Sequence, residues 1–136
     1  MRSPRALTYP PKRMSATIPG GDEANLRAML RAARSAIHRV AGQTRADFIA
    51  DTATCNAILH RLERIQDGAR CISELTRTHS PEVAWAKLDM LRERTRRVVE
   101  TGGVTALDQG ILWEIVEKEL PAIIRSLEVL LDPSIP

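Results

Sequence analysis

Apolar positions recur at three- and four-residue steps through most of the chain, and nowhere do they alternate as in a strand. Leu26, Met29, Leu30, Ala33, Ile37 and Val40 form the first run. They predict an amphipathic helix from Asp22 or Asn25 to about Ala41, stopped by Gly42. Thr44 and Asp47 make a short capping signal ahead of Phe48, and Asp51 or Thr52 can cap a long second helix. Its stripe of Cys55, Ile58, Leu62, Ile65, Ala69 and Ile72 is the most regular in the chain. Thr76 to His79 reads as a loop, and Ser80-Pro81 as the cap and first-turn proline of a third helix. That helix carries Trp85, Leu88, Leu91, Thr95 and Val98 on one face and breaks at Gly102-Gly103. A fourth helix follows Asp108, with Ile111, Leu112, Ile115, Val116, Leu120, Ile123, Ile124, Leu127 and Leu130, and Asp132-Pro133 closes it. Pro121 falls inside this last pattern and should kink the helix without ending it, because the periodicity resumes at once. Four amphipathic helices with short connections, plus the short Phe48 helix, predict an all-α, up-and-down four-helix bundle.

A chain of 136 residues suits one domain with one core. Residues 1–21 stand apart: Pro4, Pro10, Pro11, Pro19, Gly20 and Gly21 interrupt them and no apolar period runs through them. They read as a disordered basic leader, residues 22–132 as the bundle and 133–136 as a tail. Arg2, Arg5, Lys12 and Arg13 lie in the leader without any acid, leaving 16 basic and 17 acidic residues for the rest. The net charge of +3 is therefore a property of the leader and does not by itself point to nucleic acid. Arginine and serine without acid also suit a transit peptide, but the prolines spoil the amphipathic helix such a segment needs.

Tyr9, Phe48, Trp85 and Trp113 are the only aromatic residues, too few for a surface that stacks unpaired bases. Both tryptophans read as core anchors. Cys55 and Cys71, read on one helix, would lie about 24 Å apart, too far for a disulfide, and are expected to be buried thiols in a reducing compartment. No apolar run approaches the ~20 residues of a membrane span, and the N-terminus lacks a signal-type stretch, so a soluble cytoplasmic protein is expected.

Candidate chemistry concentrates in the third helix, where Arg92, Arg94, Arg96 and Arg97 could each grip a phosphate. The same residues also fit a solvated face, with Glu93 and Arg97 paired at i, i+4. Arg27, Arg31 and Arg34, continued by His38, read as a surface stripe. His38 and His60 sit beside apolar faces as ordinary surface or satisfied residues, and His79 reads as structural. Asp67, near the end of the second helix, suits a capping or interhelix polar contact, or an acid of a site. No His, Cys, Asp and Glu spacing matches a metal motif and no Gly-rich phosphate loop occurs, so neither metal nor cofactor is expected.

Four strings, taken in order, resemble the HepT-like branch of the HEPN superfamily. They are Gly42-Gln43-Thr44-Arg45-Ala46-Asp47-Phe48, the stretch from Ala57 to Ala69, His79-Ser80-Pro81-Glu82-Val83-Ala84-Trp85, and the stretch from Leu112 to Pro121. The resemblance runs from about Asp22 to Leu131. It implies a dimeric, metal-independent ribonuclease toxin neutralised by a nucleotidyltransferase antitoxin. It also implies a signature at the end of the third helix: Arg, four to six residues, His, one residue, Tyr. The histidine would shuttle a proton at the ribose hydroxyl or leaving oxygen, and the guanidinium would hold the phosphate. The tyrosine accepts adenylate groups from the partner in one subgroup, and the family places an acid at Asp67.

This sequence departs from that signature. Counting forward from Trp85 puts Arg92 on the arginine and Arg97 on the histidine. Counting back from Trp113 puts Arg97 on the arginine, Gly102 on the histidine and Val104 on the tyrosine, so the segment between carries an insertion. No His or Tyr follows His79. Arginine cannot replace the proton shuttle, since its pKa exceeds about 12. The expectation is an RNA-directed homodimer of the toxin family with impaired or lost nuclease activity. Arg92 and Arg97 are its catalytic candidates, and Arg92, Arg94, Arg96 and Arg97 its phosphate contacts. A catalytically silent module that binds a nucleotidyltransferase, a nucleotide or RNA is the alternative, and a plain helical interaction protein a third.

Overall fold

The computed structural model describes residues 18–100 and 106–131, and every regular element among them is helical. In order these are α1 Gly20–Val40, α2 Arg45–Ala50, α3 Thr52–Arg70, α4 Glu74–His79, α5 Trp85–Glu100 and α6 Ala106–Glu114, then a π-helical turn Ile115–Glu119 that leads into α7 Leu120–Leu131. Residues 1–17, Gly102-Gly103 and Asp132-Pro133 lie outside the described residues.

Antiparallel α1 and α3 form the central pair. Gly68, near the end of α3, faces Met29 and Asn25 of α1, while Arg61 lies farther along, at Ser35. A Cβ on Gly68 would come within 2.5 Å of Met29 Cγ, so glycine is what lets the two helices approach. Leu26, Met29, Ile58, Leu62 and Ile65 from this pair meet Leu88 and Leu91 of α5 and Leu112, Ile115, Leu120 and Ile123 of the C-terminal run, all essentially without solvent exposure. The α3 stripe is buried from Cys55 to Ile72, as the periodicity predicts. Thr44 and Asp47 complete a reciprocal capping box, which starts α2 and buries Phe48. The Phe48 ring lies 5.4 Å from that of Trp113, tying α2 to α6. Trp113 and Trp85 are partly buried and pack on the core. Gly42 supplies the positive φ of 85° needed to leave α1.

Several expected boundaries move. α1 starts at Gly20, because the Pro19 carbonyl already accepts from the Glu23 N–H. Asp22 is thus a buried first-turn residue and not the cap. α3 ends at Arg70, which leaves Cys71 as an exposed cap residue; only Cys55 is buried. The loop expected at Thr76–His79 is helix α4, capped by Ser73 Oγ accepting from the Thr76 N–H. Ser80-Pro81 does not start α5, which begins at Trp85. The Val83 N–H donates to Ser80 O at 3.1 Å, so Pro81 occupies the second position of a turn, where its fixed φ is equally suited. The last helix begins at Ala106, with Asp108 buried in its first turn and not ahead of it.

At Pro121 the helix continues, and the irregularity takes the form of the π-helical turn just before it. Proline has no N–H to give the preceding turn, and its ring crowds the carbonyl four residues back. The Leu120 N–H reaches past its normal acceptor to Ile115 O, five residues earlier, and this widened turn accommodates the ring.

Cys55 Sγ donates to Phe48 O at 3.2 Å. Burial, with a smaller contribution from the Asp51 carboxylate, pushes its pKa up to about 11. Under native conditions near pH 7.5, thiol titration with a disulfide reagent is therefore expected to find one fast thiol, Cys71. A second equivalent should appear only on unfolding. Two fast thiols in the folded protein would contradict the burial of Cys55.

Candidate functional site

Antiparallel helices pack through one stripe each and leave their flanks apart, and α3 and α5 do so over a long solvent-filled groove of about 520 Å³. Leu88, Leu91, Thr95 and Val98 turn α5 into the core, which aims the neighbouring stripe, Arg92, Arg96 and Val99, along the groove. These lie at i, i+4 and i+7, one face of a helix. The opposing wall is the matching stripe of α3: Glu63, Gln66, Asp67 and Arg70.

The arginine cluster is thereby sorted by position. Arg92 faces the groove and makes no ion pair with any carboxylate among the described residues. Arg96 also faces it, held by Glu93 and, at 3.0 Å, by Glu100. Both of these pairs are well exposed and so hold the guanidinium only weakly. Arg94 points to the other flank, where its two nitrogens meet Glu114 at 3.1 Å and Glu119 at 3.6 Å. It is half-buried and ties α5 to the C-terminal helical run. Arg97 does not line the groove.

Thr95, between the two groove arginines, is 1% exposed, and its Oγ1 has no hydrogen-bond partner. A buried hydroxyl normally finds one. It sits beneath the groove, covered by its neighbours, as a buried hydroxyl without a partner. Asp67 lies opposite, bound to Arg70 at 2.9 Å within its own helix, and Glu63 is 3.6 Å from His60 Nδ1. Asp67 therefore has a cation of its own and Glu63 lies beside an imidazole, while the α5 wall brings Arg92, Arg96 and Glu100.

No imidazole lines the groove. His60 is exposed on the far side of Glu63, His79 Nδ1 lies 2.9 Å from Leu75 O on α4, and His38 is exposed near the end of α1. Among the described residues no three His, Cys, Asp or Glu side chains gather as a metal site would need. The groove brings Arg70, Arg92 and Arg96 together with the carboxylates of Glu63, Asp67 and Glu100, and no imidazole is among them.

Sequence reasoning singled out Arg92, Arg94, Arg96, Arg97 and Asp67 and missed Thr95, Arg70 and Val99. The i, i+3 and i+4 spacing of Glu63, Gln66, Asp67 and Arg70 was a usable signal for the second wall. Nothing in the sequence marked Thr95 as other than a core residue.

A family model described as ribonuclease HepT-like matches residues 29–130. Neither a curated protein nor a solved structure matches the chain.

Proposed function

The chain belongs to the ribonuclease HepT-like family of the HEPN superfamily, and from that membership we propose an RNA-directed toxin-family protein whose ribonuclease chemistry is impaired or lost. The observation that carries this reading is the α3–α5 groove, where Arg92, Arg96 and the unpartnered Thr95 hydroxyl share one wall with no histidine among them. Arg92 is the primary phosphate contact, since no carboxylate competes for its planar fork. Arg96 exchanges an exposed carboxylate for a phosphate at little cost. Strand cleavage would also need a proton taken from the ribose hydroxyl and one given to the leaving oxygen, and the arginines and Thr95 of this wall are no proton shuttles. A nucleotidyltransferase antitoxin as partner, a homodimeric state and a cytoplasmic location complete the proposal. No helix among the described residues is long and apolar enough to cross a membrane.

Salt-dependent binding of a single-stranded RNA tests the proposal directly. Arg92→Ala and Arg96→Ala are each expected to weaken binding and lower the slope of log K against log[salt] by about one. Arg94→Ala should leave the slope unchanged and lower stability by roughly 1 kcal/mol, as loss of a half-buried ion pair does. Metal-free incubation should leave the RNA intact. Cleavage by the wild type that disappears in Arg92→Ala would show the chemistry to be retained. Salt slopes unchanged in both groove variants would remove the RNA assignment itself.

A further inference from the structure

The stripe Arg27, Arg31, Arg34 on α1 is not uniform. Arg27 is paired with Glu23 at 2.9 Å and Arg34 with Glu128 at 2.6 Å, while Arg31, between them, meets no carboxylate among the described residues. Arg31 lines a second groove, between α1 and α3 and about 390 Å³ in volume, together with Arg61 and Arg64. Arg64 likewise pairs with no acid among the described residues. Arg61 is held in place by neutral oxygens: its Nε–H donates to Ser35 Oγ at 2.7 Å and Nη1 to Ala57 O at 3.0 Å. That leaves the Nη2 end of a fixed fork unused. Ala28 and Ala32 line the groove with small side chains that leave the space open, and His60 adds a fourth nitrogen donor at its rim. Three guanidiniums from two helices face one concavity without a carboxylate on its lining. By contrast, Arg27, Arg34, Arg70, Arg77, Arg94 and Arg96 each lie within 4 Å of a carboxylate.

We propose that this α1–α3 groove is a binding site for phosphate-chain anions, separate from the α3–α5 groove. Three convergent arginines exceed what one carboxylate can neutralise and match the two or more charges of linked phosphates. The pre-set Arg61 fork loses little freedom on binding. No Phe, Tyr or Trp lines the groove, and its donors are mainly the charged ends of arginines, so phosphate is the group it recognises. The phosphates come either from a nucleotide tail or from a nucleic-acid backbone, two sources of the same chemistry.

The test is titration of the full-length protein with sodium tripolyphosphate at constant ionic strength, with a twelve-nucleotide RNA as a second probe and hexaglutamate as a third. Arg31→Gln/Arg64→Gln is expected to weaken tripolyphosphate binding at least tenfold. Arg61→Lys, which keeps the charge but loses the fork, should weaken it several-fold. Arg27→Gln/Arg34→Gln, which removes two acid-paired arginines of the same helix outside the groove, should leave it unchanged. RNA binding weakened to the same extent by the α1–α3 pair identifies a strand as the source, and RNA binding unaffected by that pair identifies a free phosphate chain. Tripolyphosphate bound equally by the wild type and Arg31→Gln/Arg64→Gln would overturn the proposal. So would hexaglutamate binding as tightly as tripolyphosphate, or a loss seen only in an Arg92→Gln/Arg96→Gln protein. Failure here leaves the RNA reading of the α3–α5 groove standing, because each groove has its own variant pair.

Discussion

Val99→His is expected to give the protein metal-free ribonuclease activity well above that of the wild type. Val99 lines the α3–α5 groove seven residues after Arg92 and on the same face, a separation of six intervening residues. That spacing lies within the range the HepT-like signature allows between its arginine and histidine. Arg97, at the shorter allowed spacing, does not line the groove, so Arg97→His should have far less effect. A positioned imidazole contributes about 10²–10⁴-fold in general acid–base catalysis. Even the lower end would be visible on a labelled RNA. Its pH profile should turn near the ordinary histidine value of about 6.5, and Arg92→Ala in the same chain should abolish it. An inert Val99→His protein that still binds RNA as the wild type does would mean that the groove does not hold the scissile phosphate.

Asp22→Ala should be the most damaging single polar substitution, lowering unfolding free energy by roughly 3 kcal/mol, the range for losing charged hydrogen bonds and stranding their donors. Asp22 is 6% exposed. It accepts from Ser73 N–H at 3.1 Å, Ser73 Oγ at 2.6 Å and Thr76 Oγ1 at 2.5 Å, joining the first turn of α1 to the start of α4. Burial alone would raise its pKa, but these bonds outweigh it and hold the carboxyl below its ordinary 3.8. A depressed carboxylate stabilises the fold fully above its unfolded value and loses that contribution as pH falls through its folded value. In urea titrations the wild type and Asp22→Ala should therefore differ most from about pH 5 upward, and the difference should shrink as pH falls below the ordinary 3.8. A difference constant from pH 7 to pH 2.5 would show that the charge is not what α1 contributes to α4.

The same knot explains what the sequence leaves obscure. α3 was legible because six apolar residues in step outweigh everything local, and the burial of Cys55 through Ile72 follows that count. α4 was not. It has six residues, Leu75 at its middle is 61% exposed, and its cap is completed by a carboxylate 51 positions upstream. Ser80-Pro81 is ambiguous in isolation, since a proline after serine suits a turn as well as a helix start. In the groove, the division of labour among the arginines was half visible. Arg92 and Arg96 are four apart and Arg94 lies between them, so a helix must point Arg94 elsewhere. Which acids receive it could not be read, because that depends on the turn before Pro121.

In an α-helix, residues five apart point about 140° away from each other, so Glu114 and Glu119 would face different neighbours. The i→i+5 closure of the π-helical turn brings them nearly into line, and both reach the single guanidinium of Arg94. Pro121 thus acts as a phase shifter. The helix before it and the helix after it do not share a wheel, and the sequence beyond the turn is written one position out of step with the sequence that precedes it.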